Sequence, residues 1–285
     1  MDAISLIVVP YELGRLRDGV GRGPEALLAS GAEEALEASG ARVDTDVVEL
    51  TQRFSSEVKL SFELIRQVSG RVAAARAAGA FPVVLSGSCC FAALGVVAGL
   101  DENAPGVVWF DAHGDFNTPD STLDGYLDGM GLAVLVGDAW RGMFAAVPGG
   151  GPVAPTAVMS AGAHDFDAPE EVRMRESDVV HVTPRQLASG DALTAALSSL
   201  EPEPTGLYLH LDLDVLDREA AHVNVYSASG GITPDQLSAR VEEVLQTGLV
   251  RAVSLTAYDP ECDREGRVPP VAIGLLGAVG ASASV

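Results

Sequence analysis

The segment Val107–Pro119 reads VVWFDAHGDFNTP, an apolar run that ends in Asp111, His113 and Asp115. In an extended strand alternate side chains share a face, so these three groups are expected to converge at the strand's carboxyl edge. Two carboxylates and an imidazole suit Mn²⁺, Zn²⁺ or Fe²⁺. Taken alone, the pattern also describes a polar strand end with capping aspartates. A second apolar run, Leu207–Asp217 (LYLHLDLDVLD), again turns acidic. Asp212 and Asp214 have the same alternate spacing, and buried like charges side by side are costly without a cation. Alone, this run is an acidic loop or a single cation site. Together the two runs carry more carboxylates than one ion needs, which suits two metals that activate water between them. His210 stands two residues before Asp212, about 7 Å along an extended chain. From there it is a candidate ligand or proton relay, or a buried hydrogen-bonded histidine. His164, His181 and His222 are expected on the surface or in loops.

The elements around these motifs follow from hydrophobic patterning. Short apolar runs alternate with longer Ala- and Leu-rich runs, the pattern of a wound parallel α/β sheet with helices on its faces. Strands are expected at Ile4–Val9, Val43–Val48, Pro82–Ser86, Gly106–Asp111, Ala157–Ala161, Val179–His181, Leu207–Asp212 and Ala252–Thr256. Helices are expected at Gly23–Ser39, Ser56–Ala78, Phe91–Leu100, Leu127–Val136, Glu170–Glu176, Pro184–Ser199, Pro234–Thr247 and Pro269–Ser282. Pro234 and Pro269 fall near helix starts, where the missing N–H costs little. Near-continuous apolar strands imply a sheet covered on both faces. With no clear linker beyond the loop Val147–Pro155, residues 1–285 are expected to form one domain.

Of the 285 residues 47% are hydrophobic and 20% charged, which supports a large core. The net charge of −22 argues against nucleic acid as a partner and suits a guanidinium or amine substrate. The sequence shows no signal peptide and no apolar run of membrane-spanning length. Three cysteines, two of them adjacent, make no disulfide framework. A cytoplasmic protein without membrane contact is the expectation.

The motifs resemble those of the ureohydrolase superfamily, which includes arginases and agmatinases. Asp111, Ala112, His113, Asp115 and Asn117 meet its DAHxDxN pattern, and Asp212, Asp214 and Asp217 meet DxDxxD. The opening VGRGPEAL (Val20–Leu27) and the GGIT that closes Val223–Thr233 are also similar to the family's segments. The resemblance implies a three-layer α/β/α fold with a mainly parallel sheet. It implies two Mn²⁺ ions held by Asp111, His113, Asp115, Asp212 and Asp214, with Cys89 where the family has a histidine ligand. The ion Cys89 helps hold is then expected to be the weaker one; alternatively, Cys89 is a buried apolar residue. The activity implied is hydrolysis of a linear C–N bond in an arginine-like or N-omega-hydroxy-arginine-like guanidino compound by a metal-bridging hydroxide. Homo-oligomers, trimers or hexamers, are also implied.

Replacements mark the rest of the site. Asp128 stands where the family has a proton-transfer histidine, and with Asp115 and His210 it is a candidate catalytic residue. Asn117, Asp124 and Tyr126 are candidate substrate contacts. Tyr126 replaces an asparagine, and Asp124 replaces a small hydroxyl near the substrate carboxylate, which favours an amine there. Ala257 stands near the position of a guanidinium-clamping glutamate, with Asp259 and Glu261 as possible stand-ins. A cysteine at the Cys89 position is similar to the hydroxy-arginine hydrolases, which release ornithine and hydroxyurea. The same replacements leave an alternative: a ureohydrolase-fold protein that binds a small cation or a partner without hydrolysis.

Overall fold

The computed structural model describes residues 3–52, 54, 56–100 and 105–283. The described residues form ten strands: β1 Ala3–Val9, β2 Tyr11–Glu12, β3 Arg15–Leu16, β4 Arg42–Val47, β5 Phe81–Ser86, β6 Gly106–Phe110, β7 Val158–Ala161, β8 Val180–Val182, β9 Leu207–Asp212 and β10 Val250–Thr256. Eight of them form one sheet in the order β4-β1-β5-β10-β9-β6-β7-β8, and every pairing is parallel. β2 and β3 pair separately as a short antiparallel hairpin. Its two-residue strands are too short for an alternation pattern to reveal them.

The pleat distributes each strand between two cores. Leu6, Val8, Leu209 and Leu211 pack on one face with Leu237, Val241, Leu275 and Val279 from the Pro234–Leu245 and Val268–Ala283 helices. Ile7, Val9, Trp109 and Tyr208 pack on the other with Phe62, Ile65, Leu94 and Val96 from the Glu57–Ala77 and Cys89–Leu100 helices. This is the three-layer α/β/α architecture with a parallel sheet, and it explains why β5 and β9 are buried at every residue. Among the described residues no helix is long and apolar enough to cross a membrane.

Three expected helices are interrupted. Gly31 (φ 100°) splits Gly23–Ser39 into Gly23–Ala29 and Ala32–Glu37, and Gly190 (φ 90°) splits Pro184–Ser199 into Pro184–Ser189 and Asp191–Ser198. Both glycines adopt the left-handed conformation that terminates a helix at little cost. Leu127–Val136 is a 3₁₀ turn, Asp128–Met130, leading into Gly131–Leu135.

β5 leads to β6 past the positions of β10 and β9, so four strands with different connections end side by side. Ligands of open α/β sheets collect at such a point, outside the carboxyl ends of the strands. Gly87 follows β5 there. A Cβ on it would stand 2.2 Å from the Tyr11 carbonyl oxygen and 2.7 Å from Gly21 Cα, both rigid backbone. Gly87→Ala is therefore expected to destabilise the chain by about 2 kcal/mol or more. It should also shift Cys89, two residues on. Thermal unfolding of the metal-free variant measures the first effect, and metal affinity the second.

Candidate metal centre

The acidic residues converge by turns rather than by strand pleat. β6 ends at Phe110, one residue before Asp111. The Asp111 carboxylate then accepts the His113 N–H (2.7 Å), which folds the segment back on itself, and Asp115 takes a left-handed conformation (φ 48°). Asp212 closes β9 and accepts the Asp214 N–H (2.8 Å), capping the 3₁₀ turn Leu213–Val215. That turn, not alternate spacing on a strand, brings Asp214 beside Asp212.

Two groups of metal-binding atoms result. Cys89, Asp111, His210 and Asp212 each place a ligand atom within 4.8 Å of the others, and Asp111, His113 and Asp214 do the same. Asp111 belongs to both. His113 Nδ1 lies 3.3 Å from Asp111 Oδ1 and 3.5 Å from Asp214 Oδ2. Cys89 Sγ lies 2.5 Å from Asp212 Oδ2 and 3.2 Å from Thr256 Oγ1. Asp115 is buried on the cavity wall beside these groups but belongs to neither.

The electrostatics calls for positive charge. Burial, then the neighbouring carboxylates, pushes the Asp111, Asp115 and Asp212 carboxyls above their ordinary range. Burial and Asp212 push the Cys89 thiol well up. Burial works against an ionised Asp214 and a charged His113, but the two attract each other strongly enough to reverse it. Asp214 is held below the carboxylate range and the imidazole is pushed well up. No Lys or Arg lines the cavity among the described residues. Divalent cations fit this donor set, because they neutralise the carboxylates and allow the thiol to ionise.

The cavity above the carboxylates has a volume of about 240 Å³. Asp128 lines it and also builds it. Its carboxylate accepts the backbone N–H groups of Cys90 (2.8 Å) and Cys89 (3.3 Å), capping the first turn of the Cys89–Leu100 helix. Burial raises its pKa to about 7, against the lowering effect of those donors. Asn117 lines the cavity, and its amide donates to Asp167 (3.1 Å), so it positions a carboxylate. Asp124 lies at the rim, accepting the Tyr126 N–H (2.9 Å), and the rings of Tyr126 and Tyr226 meet at 5.5 Å. Ala257 lines the wall in a left-handed conformation (φ 66°). Asp259 and Glu261 do not stand in for a clamp there. Neither lines the cavity; Glu261 pairs with Arg22 at 2.9 Å, and Asp259 lies 3.8 Å from the same guanidinium.

Three contributors escaped the sequence reading. Glu170 lines the cavity and accepts the Phe116 N–H (2.8 Å), and its Asp-x-x-Glu spacing from Asp167 is a capping-box signal. Trp109 donates its indole N–H to Asp111 (3.0 Å). Asn224 donates to Asp214 (3.0 Å) and to the Ala257 carbonyl (2.8 Å), and a lone loop asparagine carries no sequence signal for this. Hydrogen bonds of this kind orient ligands. Asn224→Ala is expected to weaken ion binding at the His113–Asp214 group by about 10–100-fold, read by metal titration.

The model of the arginase family matches residues 2–279. The chain belongs to the arginase family. Its relatives include the arginase of Bacillus caldovelox, 27% identical over 98% of both chains, and that of Eremothecium gossypii, 29% identical over 90% of this chain and 69% of the relative. The solved B. caldovelox arginase superimposes with a TM-score of 0.88 over 98% of both chains. A formimidoylglutamase from Bacillus subtilis shares the fold, with a TM-score of 0.78 at 16% identity, over 99% of this chain and 87% of the other. Of the acidic motifs expected from sequence, Asp111, His113, Asp115, Asp212 and Asp214 line one cavity with Cys89, whereas Asp217 accepts the Gly230 N–H instead.

Proposed function

We propose that this chain is a metal-dependent hydrolase of a linear C–N bond in a guanidino compound. The supporting observation is the pair of ligand groups joined by Asp111 on the floor of an acidic cavity. Two divalent ions there, Mn²⁺ by family expectation, supply Lewis acidity and lower the pKa of water. Asp111, Asp212, Asp214, His113 and Cys89 would hold them. Asp115, buried on the cavity wall beside Asp111 and Asp212, would add a further carboxylate to the ions. Burial raises the Asp128 pKa to about 7 before any ion is bound, and a carboxyl in that range could pass a proton to a leaving amine. Asp124, Asp165, Asp167 and Glu170 surround the outer cavity with carboxylate. That lining favours a substrate whose far end is an amine over one that ends in a carboxylate.

Reconstitution with Mn²⁺, metal counting, and release of urea or hydroxyurea from arginine, N-omega-hydroxy-arginine and decarboxylated guanidino amines test this reading. Two bound ions with turnover of at least one guanidine support it, and the amine-ended substrates should show the higher kcat/KM. Bound ions without hydrolysis of any guanidine overturn it.

A further inference from the structure

His210 lies in the middle of the sheet, on β9 between Trp109 of β6 and Ser254 of β10, and is fully buried. Its Nδ1 is 2.8 Å from both the Tyr208 hydroxyl and the Ser254 hydroxyl. The Trp109 ring packs against it, with centroids 4.1 Å apart and a tilt of 32°. Its Nε2 has no hydrogen-bond partner among the described residues. Leaving a buried polar atom unpaired costs about 1–3 kcal/mol, so a native fold that does so needs a reason. One ring nitrogen of His210 lies within 4.8 Å of Cys89 Sγ and of carboxylate oxygens of Asp111 and Asp212. With Nδ1 committed to two hydroxyls, Nε2 is the nitrogen free to bind. An imidazole fixed through one nitrogen and bare at the other is how metal-ligating histidines are held.

We propose that His210 Nε2 is a ligand of the first ion, together with Cys89 Sγ and carboxylate oxygens of Asp111 and Asp212, and that this site selects Zn²⁺-class ions over Mn²⁺. The inference rests on the dinuclear reading above and refines it. Zn–ligand bonds of about 2.0–2.3 Å put tetrahedral ligand atoms roughly 3.3–3.8 Å apart, so the observed group closes on an ion with small side-chain shifts. A thiolate and an imidazole are softer than the oxygen donors Mn²⁺ prefers, and they suit Zn²⁺ and Co²⁺. His113 and Asp214, without sulfur, keep a harder second site. Binding forms the metal–sulfur bond and releases the Cys89 thiol proton to solvent. The first site is then not a weakened Mn²⁺ site with a histidine missing. Its imidazole is supplied from β9 instead of from the segment after β5.

The test begins with the full chain, stripped by chelator and titrated with Co²⁺ alone. One equivalent should bind with a thiolate-to-cobalt charge-transfer band and the strong visible absorption of a four-coordinate ion. Zn²⁺ should displace it, and Mn²⁺ at equal free concentration should not. Cys89→Ser should abolish the band. His210→Ala should weaken that Co²⁺ by at least about 100-fold, while Mn²⁺ at the His113 group, followed by electron paramagnetic resonance, is retained. Should His210→Ala fail to fold, Ser254→Ala serves instead: the band remains and affinity falls about tenfold. Absence of the thiolate band, preference for Mn²⁺, or wild-type Co²⁺ affinity in a folded His210→Ala or in Ser254→Ala overturns the proposal. If guanidine hydrolysis persists in that case, the hydrolase reading survives it. A filled thiolate site on a protein that hydrolyses no guanidine has the opposite meaning.

Discussion

Asp111→Asn is expected to disable both ligand groups at once and to lower kcat/KM by at least about 10³-fold. Asp111 is the one side chain common to the two groups. A pair of ions contributes several kcal/mol to charge stabilisation, and each 1.36 kcal/mol is tenfold in rate. The substitution also disturbs the floor of the site. One carboxylate oxygen accepts from Trp109 and the other from the His113 backbone, and an amide cannot accept from both. The most specific readout is therefore ligand-linked stability. Wild-type protein at 100 times the dissociation constant gains about 2.7 kcal/mol per site from its ion, and Asp111→Asn should gain almost nothing at the same concentration. Asp214→Asn should lose the gain from the second group only. An Asp111→Asn protein that still takes up two ions would remove the shared carboxylate from the scheme.

The sheet was legible because its strands are covered on both faces, so each appears as an apolar run. All eight expected strands stand within two residues of their predicted bounds. The helices failed where an isolated glycine interrupts an otherwise unbroken Ala- and Leu-rich pattern. Periodicity continues through Gly31 and Gly190, and only the backbone angle shows the break. At the site, residue types were legible and geometry was not. Asp111, His113, Asp212 and Asp214 announce themselves by clustering after apolar runs, yet the turns that gather them depend on side-chain-to-backbone hydrogen bonds. His210 was visible as a histidine on a strand. Its bare Nε2 depends on Tyr208, Ser254 and Trp109, and two of these lie on other strands. The stand-in role for Asp259 and Glu261 failed for the same nonlocal reason, because Arg22, far away in sequence, holds them outside the cavity.

The second large effect belongs to Asp128, which the sequence presents as a substitute proton relay and the structure also shows as a helix cap. The two roles predict different behaviour for two substitutions. Asp128→Ala removes the acceptor of two backbone N–H groups at the buried start of the Cys89–Leu100 helix. Each unpaired donor costs about 1–3 kcal/mol, so a loss of about 3 kcal/mol is expected. At roughly 2–4 °C per kcal/mol for a chain of this size, Tm should fall by about 6–12 °C. Because Cys89 begins that helix, affinity for the first ion should fall as well. Asp128→Asn keeps one oxygen for the closer donor, Cys90 N–H, and turns its amide toward the longer contact with Cys89. Its fold and metal content should stay near wild type, with Tm lower by only a few degrees. An amide cannot donate and recover a proton as a carboxyl with a pKa of about 7 does, and general acid catalysis contributes about 10²–10⁴-fold. A relay therefore predicts that Asp128→Asn lowers kcat by about that factor while KM and metal content hold. A cap alone predicts that kcat follows the small change in stability. The ratio of kcat to metal occupancy across the two variants separates proton transfer from positioning.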